Sequence, residues 1–297
     1  KHSVYIALMT LCNPGDEVVI AAPYWVSYVE IIKLAEGTPV IMPTSIETNY
    51  KITPEQLEKA ITPRTKAIIY SSPSNPTGAV YTREELKALA EVFARHPQVY
   101  IISDEIYEHI NFTPEGHTSI AEFPEVYEQT IVVNGLANAH AMTGWRIGFI
   151  GVAQWIAKAC EDLQGQVTSG TNSVAQQAAV AALNADPEKM VKPMVEVFAR
   201  RRELVLKGLA EIPGFKTDTP YGAFYAFPDI SYYKGKTLGG HKINTSDDMC
   251  LYLLSEAHVG LVAGSSFGND DCIRLSYAAS EEVLTEALRR IKEALLK

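Results

Sequence analysis

Three polar segments carry the residue types that a small-molecule site needs, and each follows a short apolar run. Ser71-Ser72-Pro73-Ser74-Asn75-Pro76-Thr77-Gly78 comes after the run at 66–70, and its prolines and glycine fix a rigid loop that presents Asn75. Ser103-Asp104-Glu105-Ile106-Tyr107 comes after the run at 99–102. A carboxylate at that place either meets a cation or caps a helix, and both readings of Asp104 are open. Asn134-Gly135-Leu136-Ala137-Asn138-Ala139-His140-Ala141-Met142-Thr143-Gly144-Trp145-Arg146 comes after the run at 130–133. Arg274 stands inside the apolar stretch 272–277, where a guanidinium calls for an anion; its planar fork suits a carboxylate or a phosphate.

Other motifs fail on context. Gly264-Ser265-Ser266-Phe267-Gly268 matches G-x-S-x-G, but a hydrolase nucleophile at Ser266 needs a helix next, and Asn269-Asp270-Asp271 leads into another strand. Gly235-Lys236-Thr237 ends like a P-loop, yet Ile230 stands where the first glycine belongs. The seven histidines show no metal-ligand spacing, so no metal is expected.

The elements that position the polar segments are legible. Asn13-Pro14-Gly15-Asp16 is a turn and 17–21 a buried strand, followed by a helix at 24–34 and a strand at 40–42. Thr53-Pro54-Glu55-Gln56 and Thr82-Arg83-Glu84-Glu85 are capping boxes that open helices to about 61 and 95. Strands at 66–70, 99–102, 130–133 and 145–150 complete the first half. Alternating strands and helices predict an α/β fold, a mostly parallel sheet sandwiched by helices, with ligands bound beyond the carboxyl ends of the strands. Helices at 156–163 and 173–183 precede a long helical pattern at 187–212, in which Arg200-Arg201-Arg202 reads as a solvated face. Strands at 223–227, 260–263 and 272–277 and helices at 247–257 and 281–296 make a smaller α+β unit. The expected division is 1–190 for the large domain and 191–297 for the small C-terminal domain with its connecting helix.

The chain has 297 residues, about two domains at ordinary size, and 47% of them are apolar. A net charge of −9 without a Lys/Arg block argues against nucleic acid or an anionic membrane surface as a partner. No apolar run is long enough to span a bilayer, and Lys1-His2-Ser3 does not open a signal peptide. Cys12, Cys160, Cys250 and Cys272 lie far apart without a C-x-x-C pair, which predicts reduced thiols and a cytoplasmic location.

Taken together, Pro23-Tyr24-Trp25-Val26-Ser27-Tyr28, Ser74-Asn75-Pro76-Thr77-Gly78, Ser103-Asp104-Glu105-Ile106-Tyr107 and Ala141-Met142-Thr143-Gly144-Trp145-Arg146-Ile147-Gly148 resemble the aspartate aminotransferase branch of the fold-type-I pyridoxal-phosphate enzymes. Pro220-Tyr221-Gly222-Ala223-Phe224-Tyr225 and Ile273-Arg274-Leu275-Ser276 extend the resemblance over essentially the whole chain. It implies pyridoxal 5′-phosphate as cofactor, an amino acid and a 2-oxo acid as substrates, and a homodimer. Asp104 would then pair with the pyridine nitrogen, Asn75 and Tyr107 would hydrogen-bond the ring hydroxyl oxygen, and Trp25 would stack on the ring. Arg146 would grip the cofactor phosphate, and Arg274 the substrate α-carboxylate, with Asn75 also counted among the substrate-binding residues.

The sequence departs from that pattern. Aligned on Met142-Thr143-Gly144, the Schiff-base lysine position holds Asn138, and an amide is neither a nucleophile nor a base. Lysines such as Lys158 lie on helices and offer no substitute. Ala137 replaces a phosphate-binding serine, and His140 stands where an aromatic is usual. Lys1 aligns just after a Gly-containing phosphate-binding turn, so the family's N-terminal arm, first helices and that turn are not in this sequence. Two expectations follow: an aminotransferase-family chain that is inactive or impaired and holds cofactor non-covalently if at all, or a non-catalytic cofactor-binding or dimerising protein. Aspartate is favoured as substrate by resemblance, with aromatic amino acids and C–S lyase chemistry open.

Overall fold

A computed structural model describes residues 1–296. Helix α1 (His2–Leu11) leads into β1 (Glu17–Ala22), α2 (Ser27–Leu34), β2 (Thr38–Pro43), α3 (Pro54–Ala60), β3 (Thr65–Ser71), α4 (Arg83–Phe93), β4 (Tyr100–Asp104), β5 (Thr130–Gly135) and β6 (Gly148–Gly151). The six strands form one sheet in the order β2-β1-β3-β4-β5-β6. All neighbours are parallel except the β5–β6 pair. Side chains that alternate along the strands feed two cores. Val18, Ile20 and Ile69 pack with α1 and α2 on one face, while Val19, Ile68 and Ile101 pack with Leu57 of α3 and Leu86, Leu89 and Phe93 of α4 on the other.

Both capping boxes form. Thr53 Oγ1 accepts from the Gln56 N–H at 3.3 Å, and Thr82 Oγ1 accepts from the Glu85 N–H at 3.2 Å. Each fixes where a surface helix begins, and so how the preceding loop meets the sheet. Because the strands run parallel, their carboxyl ends share one edge, with Ser71 opposite Asp104 and Asp104 opposite Val133.

Beyond the sheet come α5 (Gln154–Val167), α6 (Ser173–Leu183), α7 (Pro187–Met190), α8 (Lys192–Ala210), β7 (Tyr225–Ala226), β8 (Thr237–Leu238), β9 (His241–Lys242), α9 (Ser246–Glu256), β10 (Val262–Ala263), β11 (Ile273–Ser276) and α10 (Glu281–Leu295). A third core gathers Val205 and Leu209 of α8, Met249 and Leu253 of α9, and Leu288 and Ile291 of α10 around β7 and β11.

Several boundaries differ from expectation, each for a local reason. The strand expected at 145–150 starts at Gly148, because residues 143–145 form a 3₁₀ turn and Arg146 takes a left-handed φ of 57°. The helix expected at 187–212 is broken at Val191; Pro193 has no N–H to give and its ring would meet the preceding turn. The Arg200-Arg201-Arg202 run is solvated only at Arg200. Arg202 packs over the Phe112 ring at 4.7 Å, and the Nε of Arg201 is buried without a partner. The hairpin β8–β9 lacks an expected counterpart. Gly239 and Gly240, both at positive φ, form its turn. Among the described residues all four cysteines are free thiols, and no helix is long and apolar enough to cross a membrane.

Candidate functional site

A cavity of about 870 Å³ opens at the carboxyl edge of the sheet. It is lined by Trp25, Asn75, Asp104, Tyr107, Asn138, Arg146 and Arg274, so residues far apart in sequence come to one place.

Asp104 ends β4 and is 7% exposed. Its Oδ2 accepts the Tyr28 hydroxyl proton at 2.7 Å and its Oδ1 the Ile106 N–H at 3.3 Å. The chain turns after it rather than forming a helix, so the helix-cap reading of Asp104 does not hold. Burial pushes its carboxyl above the ordinary value, and the hydrogen bonds from Tyr28 and the Ile106 N–H oppose that shift. A buried carboxylate with room in front of it and a single side-chain donor behind it suits a cationic N–H partner. Tyr28, in the first turn of α2, lies three residues after Trp25, and the two rings meet edge to face with centroids 5.4 Å apart. Trp25 itself is half-buried against the α1–α2 core, with the Lys1 Nζ 5.1 Å from its ring centroid.

Asn75 is held by the rigid loop after β3, and its Oδ1 accepts from Arg274 Nη1 at 2.9 Å. Arg274 lies on β11 with its guanidinium 4.5 Å from the Tyr225 ring and 4.8 Å from the Phe267 ring. Among the described residues its Nε is buried without a partner and it makes no ion pair with a carboxylate. Burial lowers its pKa, and the neighbouring Tyr225 and Tyr107 oppose that shift. Tyr107 and Tyr225 share a hydrogen bond between hydroxyls at 3.0 Å, and burial pushes both phenols above their ordinary value.

Asn138 lies half-buried in the loop between β5 and β6, its carbonyl accepting from the Ala141 N–H at 3.1 Å. Arg146 is exposed at the rim, where Nη1 donates to the Thr143 carbonyl at 2.7 Å and the rest of its fork is free for an anion. His140 does not line the cavity. It stands edge-on to His109, and burial and that neighbour lower its pKa, so it is a neutral ring outside the site. Lys158 is tied to Glu161 and Asp162 on the surface, and Lys1 alone among the described lysines lines the cavity.

Two features carried no assignment in the sequence. Tyr28 and Tyr225 sit inside the motif stretches, yet their hydroxyl partners are fixed only by the fold. Glu105, Glu108 and His117 bring ligand-type atoms within 4.8 Å of one another, although their spacing gives no metal signature. Glu105 there already accepts from Ser103 at 2.8 Å, Ser119 at 2.6 Å and His117 at 2.8 Å, a set of donors that satisfies it without an ion.

Comparison with known proteins places this geometry. The family model described as aminotransferase class I and II matches residues 1–291. A bifunctional aspartate aminotransferase and glutamate/aspartate-prephenate aminotransferase of Petunia hybrida is 48% identical over 299 residues, covering 100% of this chain and 62% of the relative. The chain thus spans under two thirds of that relative's length. The crystal structure of the aspartate aminotransferase from Rhizobium meliloti superposes with a TM-score of 0.95 at 43% identity, over 98% of this chain and 73% of that one. An aromatic aminotransferase from Pyrococcus horikoshii superposes with a TM-score of 0.92 at 37% identity, over 99% and 77%. The chain belongs to the class I and II aminotransferase family, whose members use pyridoxal phosphate.

Proposed function

We propose that the cavity holds pyridoxal 5′-phosphate or its amino form without a covalent bond. On this reading the chain is built to transfer an amino group between an amino acid, aspartate favoured, and a 2-oxo acid, and Asn138 impairs the transfer. The observation that carries it is Arg274, a buried guanidinium with an orphaned Nε, held by Asn75 beside Asp104 and aimed into one cavity. The donor set fits the group. Asp104, steadied by Tyr28, keeps the pyridine nitrogen protonated; Asn75 and Tyr107 hold the ring hydroxyl oxygen; Trp25 covers a ring face; Arg146 takes the phosphate. Arg274 orients the substrate through its α-carboxylate. When bound, the ring supplies an electron sink for charge developing at the substrate Cα.

At the lysine position the Asn138 amide has no basic nitrogen, so it neither bonds the cofactor nor moves a proton at Cα. Residues 1–190 form the cofactor half and 191–297 the half that closes over it, in a homodimer. A second reading, a non-catalytic cofactor-binding or dimerising protein, is favoured by the same Asn138. Aromatic substrates are favoured only by the aromatic aminotransferase neighbour.

An assay with aspartate, 2-oxoglutarate and added cofactor tests the reading: turnover stays at the level of free cofactor, and turnover well above it overturns the role given to Asn138. In Asn138→Lys, added cofactor produces an absorbance band that borohydride removes. If no such band forms, the cofactor site is wrong.

A further inference from the structure

Residues 220–223 cross from the part of the chain that carries Arg274 to the loops that carry Asn75 and Tyr107. The Gly78 carbonyl accepts from the Tyr221 N–H at 2.8 Å and the Gly222 N–H at 3.0 Å. The Phe112 N–H donates to the Tyr221 carbonyl at 2.8 Å, and the Ala223 N–H to the Ile110 carbonyl at 2.8 Å. The approach leaves no room for side chains. A Cβ on Gly222 would stand 2.5 Å from Pro73 Cβ and 2.9 Å from the Ile110 carbonyl oxygen; one on Gly78, at φ +71°, would stand 2.3 Å from Pro220 Cβ. Behind the crossing, Arg202 of α8 donates to the Pro220 carbonyl at 3.3 Å while its guanidinium covers Phe112. None of Gly78, Arg202 and Gly222 lines the cavity.

The crossing is followed directly by β7. There Tyr225 bonds Tyr107 and pairs with Ser276 of β11, the strand that bears Arg274. We infer that residues 220–223, wedged against Pro73, Gly78 and Ile110 with Arg202 behind them, are positioning residues that set the distance from Arg274 to Asn75, Asp104 and Tyr107. The inference rests on the proposed function, in which Arg274 reads the substrate carboxylate and Asp104 the ring. Loosening the joint shifts Arg274 while leaving Trp25, Asp104 and Arg146 in place. Carboxylate affinity then falls much further than cofactor affinity, which keeps Trp25, Asp104 and Arg146 and loses only what Asn75 and Tyr107 give up, a split that a general loss of packing would not produce.

Calorimetry on the intact chain reads the split, first with pyridoxamine 5′-phosphate alone and then with succinate added to the loaded protein. Gly222→Ala lowers the first affinity by less than about threefold and the second by about tenfold or more, since a displacement of about 1 Å at a positioning contact is enough for that. Arg202→Met removes the Pro220 hydrogen bond but keeps an apolar stem on Phe112, and it gives the same split at smaller size should Gly222→Ala fail to fold. Parallel loss of both ligands, or succinate affinity unchanged in folded Arg202→Met, overturns the inference. Failure of pyridoxamine 5′-phosphate to bind the unsubstituted chain overturns the site reading instead.

Discussion

Asp104 shows what a site residue costs the fold that carries it. Its carboxyl is buried, and burial holds its pKa above the ordinary value. A raised acid pKa means that the stability this group contributes is present below its unfolded pKa and is lost as pH rises through the folded one. Asp104→Asn, which keeps the shape and drops the charge, therefore raises the melting temperature of the ligand-free chain at pH 8, and the gain narrows at pH 5. Thermal melts at the two pH values check this; a variant less stable than the parent at pH 8 contradicts it. Residue types and their places after strands single out Asn75 and Asp104 from sequence, and its apolar surroundings single out Arg274, whereas Asn138 is legible only by alignment with the family pattern. Tyr28 was not legible as a donor to Asp104, because a tyrosine three residues after a tryptophan is equally a core residue until the fold supplies its partner. Arg202 was misread for the opposite reason. A basic run on a helix predicts solvent, and only the fold shows that this guanidinium covers Phe112 and bonds the Pro220 carbonyl.

At the scale of elements, the sequence is most legible where a local rule acts alone. Both capping boxes and the alternation of strand and helix belong to this class, since their partners lie within a few residues. Thr82→Ala removes a cap from α4 and costs about 1 kcal/mol of stability, seen in urea unfolding as a lower midpoint at unchanged slope. A midpoint unmoved by the change would mean that α4 is fixed by its apolar face alone. Elements that depend on distant contacts were less legible. The 3₁₀ turn at 143–145 and the left-handed Arg146 arise because the chain must reverse from β5 into the antiparallel β6. The break at Val191 follows from Pro193, a signal present in the sequence but outweighed there by apolar periodicity over the rest of the stretch. The Gly239-Gly240 pair likewise marks a hairpin turn, but the strands it joins, Thr237–Leu238 and His241–Lys242, are too short to show a pattern.

At the scale of the molecule, the charge of −9 places anion recognition on a few arginines rather than on a general field. The described surface is not uniformly polar. On α5 and α6, Trp155, Val167, Val174, Val180 and Leu183 are each more than half exposed. Exposed apolar side chains of this size fit the homodimer proposed above, because a partner that covers them is stabilising. Light scattering then gives a mass twice 32.6 kDa, and Val174→Glu shifts it toward the single-chain value. A monomer in the unsubstituted chain rules the dimer out. The claim on which everything else depends is that the cavity beneath Trp25 binds the phosphorylated pyridine without a lysine. Titration of pyridoxamine 5′-phosphate into the chain, followed by calorimetry, tests it directly. One saturable site per chain is expected, and Asp104→Asn or Arg146→Ala each weakens it about 10- to 100-fold, the equivalent of about 1.5–3 kcal/mol for a charged hydrogen bond. No saturable binding, or binding indifferent to both substitutions, contradicts the account.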